Sequence, residues 1–300
     1  MRICADVGGS FVDMALVDEN ASIHHRVKFP TPVDDWDAFV DIFRQFQATH
    51  ADSMAPDDAI SIAIAGLVAR DGGKIVSANV GCTHGRPLAH DLAAALGRPV
   101  FVINDADAFV LGEARLGVAV EHDRVFGLIL GTGVGGGIIE NGRVVTSALG
   151  VGGEWGHGQI MIPAPNMPGA IPVFKCGCGR TGCLDTLGSA RGLERLHHFL
   201  SGEILTSKEI TLGFSAGDAN AITTVEYFTD ILAGALSAIL NTFPASIVPV
   251  GGGLSNSSEL IAHIDRKVRA NMLSTPAEPI LATTILGGNA GLLGAYFAAE

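Results

Sequence analysis

Three cysteines, Cys176, Cys178 and Cys183, stand close together in the run CGCGRTGC, and His157 precedes them in GGEWGH. Three thiolates and one imidazole complete a closed tetrahedral Zn²⁺ site with no coordination position left open for chemistry. Close spacing, in a chain whose cysteine count is five, points to a metal before a disulfide. Gly177, Gly179 and Gly182 let such a knuckle turn tightly. A structural zinc here would tie the PAPNMPG loop back to His157 and fix two carboxylates, Glu154 and Asp185. Carboxylates on a stiff frame suit a polyhydroxyl ligand, because their oxygens accept from its hydroxyls. The other thiols, Cys4 in an apolar run and the isolated Cys82, read as small buried or half-buried residues.

A second chemistry is written in glycine. DVGGS carries Asp6 out of a buried strand into a turn at Gly8, Gly9 and Ser10. Successive N–H groups at such a turn form a concave anion site, and a carboxylate beside it holds Mg²⁺ directly or through water. GTGVGGG, from Gly131 to Gly137, reads as a turn almost bare of side chains, with the Thr132 hydroxyl as an added donor beside Gly133. It is not a dinucleotide fingerprint, because strand rather than helix follows, and it lacks the Gly-Lys-Ser/Thr of a Walker A loop. GGG at Gly251, Gly252 and Gly253 ends a buried strand and leads into a helix, where a nucleoside could lie against backbone. Together the three turns describe a nucleotide gripped by main chain.

The remaining group comes from INDAD. Asp105, at a strand end and a helix start, suits the proton acceptor that phosphoryl transfer to an alcohol requires. Asn104 serves either as helix cap or as a ligand for a neighbouring hydroxyl. Asp107 is expected on the exposed first turn, stabilised by the helix dipole.

Regular elements must position these groups. The first thirty residues read as three short strands with turns at Gly8–Gly9 and Asp18–Asn20. A helix follows with Trp36, Phe39, Val40, Phe43 and Phe46 at helical spacing, then the strand AISIAIAG, the helix LAHDLAAALG, the strand PVFVIND and the helix DADAFVLGEARLG. The pattern restarts at RVFGLILGTGVGGGIIENGRVVTS. A long helix from about Asp218 to Leu240, the strand SIVPVGGG, a helix from about Ser257 to Met272, a strand near Ile280 to Ile285 and the helix NAGLLGAYFAAE complete it. The repeat implies an internally duplicated α/β chain, two lobes around a cleft. The lobes are expected at 1–116 plus 288–300 and at 117–287, with the zinc knuckle in the second.

Bulk properties narrow the class. The chain has 300 residues, 48% hydrophobic and 17% charged, enough for a substantial core. A formal charge of −12 without a basic cluster argues against a nucleic-acid partner. No run of eighteen apolar residues is present, so no membrane partner is expected, and Asp6 breaks the first apolar run as no signal peptide would. A cytoplasmic protein is the expectation.

On DVGGS, IND, GTGVGGG, GGEWGH, CGCGRTGC and GGG, in that order, the chain resembles the ROK family of sugar kinases nearly end to end. The resemblance implies the duplicated actin-like, ribonuclease-H-like α/β fold and ATP-dependent phosphorylation of a sugar. It makes Asp105 the base that takes the proton from the sugar's primary hydroxyl. It assigns the sugar to Gly66, Asn79, Asn104, Glu154, His157 and Asp185, with His157 also on zinc beside Cys176, Cys178 and Cys183. It assigns ATP and Mg²⁺ to Asp6, Gly8, Gly9, Ser10, Gly131, Thr132, Gly133 and Gly252. A homodimer is implied too. The segment SANVGCTHGRPLAHDL is similar to that of family members acting on the 6-hydroxyl of N-acetyl-D-glucosamine, with N-acetylmannosamine and glucose as alternative acceptors. Sugar-responsive transcriptional regulators of the family are disfavoured by the charge. Two residues depart from the usual pattern: Ser10 where many members carry Thr, and Asp185 where Glu is commoner.

Overall fold

The computed structural model describes residues 1–55, 57–70, 73–158 and 171–299; the PAPNMPG loop lies outside them. The chain opens with antiparallel strands β1 (Arg2–Val7), β2 (Phe11–Val17) and β3 (Ile23–Pro30). The second turn is fixed by Asp18, whose Oδ1 accepts from the Asn20 and Ser22 N–H groups at 2.9 Å. Helix α1 (Trp36–Thr49), capped by Asp35, leads to β4 (Ile60–Ile64) and a small hairpin of β5 (Leu67–Val68) and β6 (Ile75–Val76). Helix α2 (Leu88–Leu96) ends on Gly97, whose φ of 68° is the left-handed value that glycine tolerates at a helix stop. Strand β7 (Val100–Asn104) runs directly into α3 (Asp105–Leu116).

The second series is β8 (Arg124–Leu130), β9 (Val134–Glu140), β10 (Arg143–Val144), α4 (Asp185–Gly188), α5 (Ala190–Ser201), α6 (Ser207–Ala216), α7 (Ala219–Thr242), β11 (Val248–Gly251), α8 (Ser258–Asn271), β12 (Leu281–Thr283) and α9 (Ala290–Phe297). The two main sheets have the orders β3-β2-β1-β4-β7 and β10-β9-β8-β11-β12. Each is an antiparallel hairpin arm extended by parallel strands, so the duplication expected from the glycine turns is present in the topology. Helices α4, α5 and α6 fill a stretch where the sequence reading assigned none. Their caps are ordinary: Ser189 starts α5, and Thr206 and Glu209 form a capping box on α6.

Two compact units divide the chain. One comprises Met1–Glu121, Gly137–Gly152 and Leu286–Glu300; the other comprises His122–Gly136 and Gly153–Ile285. The segment Gly137–Gly152, expected with the second lobe, thus counts with the first, where Gly137 lies against Asp107 and Val110 of α3. In the first unit, one sheet face buries Ile3, Ile60 and Ile62 with Phe39 and Phe43 of α1 and Leu88 and Leu92 of α2. The other face buries Cys4 and Ala15 with Leu292 and Leu293 of α9. Helices α3 and α9 meet backbone to backbone: a Cβ on Gly112 would lie 2.5 Å from the Ala290 carbonyl oxygen, and one on Gly294 would collide with the Ala108 carbonyl. In the second unit α7 is long and apolar enough to cross a membrane by length and composition, but Val225, Phe228, Leu232 and Leu236 are buried in the protein core.

Candidate active site

The knuckle assembles from chain turns within the second unit. Sγ of Cys176 is 3.6 Å from Nδ1 of His157, Sγ of Cys178 is 3.6 Å from Sγ of Cys183, and all four ligand atoms lie within 4.8 Å of one another. A tetrahedral zinc with Zn–S bonds of about 2.3 Å has ligand–ligand edges of roughly 3.7 Å, so these donors fit the ion. Gly179 and Gly182 adopt φ of 86° and 76°, the left-handed values the tight turn demands. Burial pushes the Cys176 thiol up to about 12, whereas the Arg180 backbone N–H holds Cys178 down to about 7. A bound cation would hold them as thiolates. Nε2 of His157 is 3.7 Å from Glu154, so the carboxylate faces the ring nitrogen opposite the sulfur. Burial raises the Glu154 pKa, and His157 opposes that.

The knuckle is joined to the glycine turn. Asp185 opens α4; its N–H donates to the Gly156 carbonyl, its Oδ1 accepts from the Val134 N–H at 2.8 Å, and its Oδ2 is 3.7 Å from Cys176 Sγ. The Trp155 indole donates to the Gly135 carbonyl at 3.0 Å. Only Gly131, Thr132 and Gly133 form the turn; Val134 already begins β9. The later glycines have packing reasons instead. A Cβ on Gly136 would sit 2.6 Å from the Gly127 carbonyl and 3.0 Å from Trp155. Gly252, with φ of 85°, is pressed against Leu130 and Gly131, so the turns at Gly131 and Gly252 lie side by side.

In the first unit Asp6, one residue before the end of β1, pairs across the hairpin with Asp13. Arg26 donates to both Asp13 oxygens at 2.8 Å, and Lys28 lies 3.3 Å away. Burial pushes Asp13 up, but Arg26 and Lys28 bring it below its ordinary value. Burial, reinforced by Asp13, pushes Asp6 up to about 6. Gly9 and Ser10 are exposed at the turn beyond Gly8, and a Cβ on Gly9 would stand 3.1 Å from Asn79, so this turn and the SANVG segment touch. Gly66, with φ of 151°, leaves no room for a side chain beside Val76 and Ser77.

Asn104 is the cap of α3: its Oδ1 accepts from the Ala106 and Asp107 N–H groups at 2.8 and 3.0 Å, and its Nδ2 donates to the Gly66 carbonyl at 2.9 Å. Asp105 follows as the first helical residue, its Oδ1 held by the Ala106 N–H and the Asn104 amide. Asp107, expected on the exposed face, is only 5% exposed, because the strand around Gly137 covers it. The sequence reading missed the Trp155–Gly135 and Asp185–Val134 links; spacing carries no signal for contacts so distant along the chain.

The ROK family description matches residues 2–300. The chain is 34% identical over 293 residues to an N-acetyl-D-glucosamine kinase of Yersinia pseudotuberculosis, covering 97% of this chain and 96% of that one. Among solved structures, a ROK hexokinase from Thermus thermophilus superposes with a TM-score of 0.81 at 28% identity, covering 99% of this chain and 97% of the other. A ROK glucokinase from Streptomyces griseus, in complex with glucose and AMPPNP, gives a TM-score of 0.76 at 28% identity, covering 98% and 97%. The fold is therefore the actin-like, ribonuclease-H-like fold of the ROK sugar kinases, and the chain belongs to the ROK family.

Proposed function

We propose that this chain is an ATP-dependent kinase acting on the 6-hydroxyl of an amino sugar, N-acetyl-D-glucosamine. The observation that carries this reading is the full-length likeness to the Yersinia N-acetyl-D-glucosamine kinase. Asp105 accepts the proton of the acceptor's primary hydroxyl as that oxygen bonds to the γ-phosphorus and ADP departs. Support for the assignment comes from Asn104, which caps α3 and orients the Asp105 carboxylate, so Asp105 is not needed as the cap. Gly66, Asn79, Asn104, Glu154 and His157 hold the acceptor. Asp185 serves it indirectly: both of its oxygens face groups of its own unit, so it fixes the glycine turn against the knuckle.

Gly8, Gly9, Ser10, Gly131, Thr132 and Gly133 hold the phosphates through N–H and hydroxyl donors, Gly252 lies near the adenosine, and Asp6 faces the cation. Mg²⁺ bound with the nucleotide neutralises charge that develops on the transferring phosphoryl group. His157, Cys176, Cys178 and Cys183 hold a structural zinc. The same reading makes the protein a cytosolic homodimer without nucleic-acid or membrane partners; the charge of −12 disfavours nucleic acid. Glucose or N-acetylmannosamine is the alternative acceptor.

The test is a coupled ADP-release assay across hexoses and N-acetylhexosamines. The highest kcat/KM is expected for N-acetyl-D-glucosamine. A clear preference for glucose would move the assignment to the alternative, and no release with any sugar would refute the kinase reading.

A further inference from the structure

A cavity of about 730 Å³ opens within the first unit along one face of α3. Asp107, Leu111 and Arg115 line it at four-residue intervals, so they share that face over roughly 12 Å of helix. The two ends differ in chemistry. At one end Arg115 donates to the Gly142 carbonyl at 3.4 Å and Arg70 donates to the Val144 carbonyl at 3.3 Å. Arg143, also lining the cavity, lies between those two carbonyls in the chain. Three arginines, one following β5, one in α3 and one in β10, thus line the cavity around residues 142–144. Among the described residues none of the three is ion-paired with a carboxylate. That is notable in a chain with 31 acidic side chains against 19 basic ones.

The other end carries oxygen and amide groups, Asn104, Asp107 and Thr146. The Thr146 hydroxyl is buried and has no hydrogen-bond partner among the described residues. A buried hydroxyl left without a partner carries an uncompensated desolvation cost, which a ligand donor or acceptor would relieve.

We propose that this cavity is a second binding site for a phosphate monoester on a hydroxylated body, a sugar phosphate. Arginine clusters recognise phosphate by paired N–H donors, and hydroxyls of the body would donate to Asp107 and exchange hydrogen bonds with Thr146. The identity of the body rests on the kinase reading above, since a sugar phosphate is the product class of that reaction. Of the groups proposed to act on the acceptor, only Asn104 lines the cavity, yet α3 links the two places: Asp105 begins the helix whose later turns form the cavity wall. Occupancy would therefore act on turnover through α3, as product feedback.

The experiment is calorimetry on the full chain with N-acetylglucosamine and AMPPNP saturating the substrate sites. The titrants are N-acetylglucosamine 6-phosphate, AMP and inorganic phosphate. One sugar phosphate per chain is expected to bind, at least about tenfold more weakly in the Arg115→Gln/Arg143→Gln double variant. That variant should keep its kcat and KM in the absence of added phosphate. Thr146→Val should weaken the sugar phosphate but not inorganic phosphate. Equal affinity in wild type and double variant overturns the site, as does loss of binding once the substrate sites are filled. AMP binding more tightly than the sugar phosphate overturns the choice of ligand. Because calorimetry requires no turnover, failure of the kinase assignment would leave this readout intact.

Discussion

A carboxylate in the first turn of a helix ordinarily serves the helix, but at Asp105 the capping is already done by Asn104. Asp105→Asn is expected to lower kcat by about 10²- to 10⁴-fold, the usual span for a lost general base, while sugar affinity measured by calorimetry stays within a few-fold. Near-normal kcat would remove Asp105 from the proton-accepting role. Asp6 behaves differently. Its folded-state pKa of about 6 lies above the ordinary 3.8, so the folded chain binds this proton more tightly than the unfolded one. The stability contributed by Asp6 is therefore present at low pH and lost as pH rises from about 4 to 6. Asp6→Asn is expected to flatten that fall, to gain up to about 3 kcal/mol at pH 7 in ligand-free thermal melts, and to lose turnover. An unchanged melting profile between pH 4 and 7 would count against a carboxylate whose burial raises its pKa.

Among elements, the pairing of α3 with α9 decides where Asp105 points. Gly112 and Gly294 bring the two helix backbones together, and no side chain fits at either position. Gly294→Ala should separate the helices, costing about 1–3 kcal/mol, and lower both the Tm and kcat. A Tm within error of wild type would show that the contact yields more easily than its geometry implies. The second unit has its own coupling, from knuckle to glycine turn through Asp185 and Trp155. Asp185→Ala leaves the Val134 N–H without its acceptor, and the KM for ATP is expected to rise more than the KM for sugar. A selective rise in sugar KM would instead make Asp185 a direct acceptor ligand.

For the molecule as a whole, a zinc ion at the cysteine cluster would act as a lever on stability, because metal binding is coupled to folding. About one zinc per chain is expected by metal analysis. Cys178→Ser should reduce that content sharply and lower the Tm by several degrees. Unchanged zinc content would remove the metal assignment.

Sequence alone made the family, the duplication and the candidate metal ligands legible, because each rests on short-range pattern. CGCGRTGC keeps its thiols within eight residues of one another, DVGGS and GTGVGGG put glycine where a hairpin turns, and the repeated strand order follows from hydrophobic periodicity. Tertiary structure alone decided which groups are already engaged. Nothing in the spacing of Asp107 reveals that the strand at Gly137 covers it, that Asp185 accepts from Val134, or that Arg70, Arg115 and Arg143 gather at one cavity. Those relations join residues tens of positions apart, and they are fixed by packing of whole elements rather than by local preference.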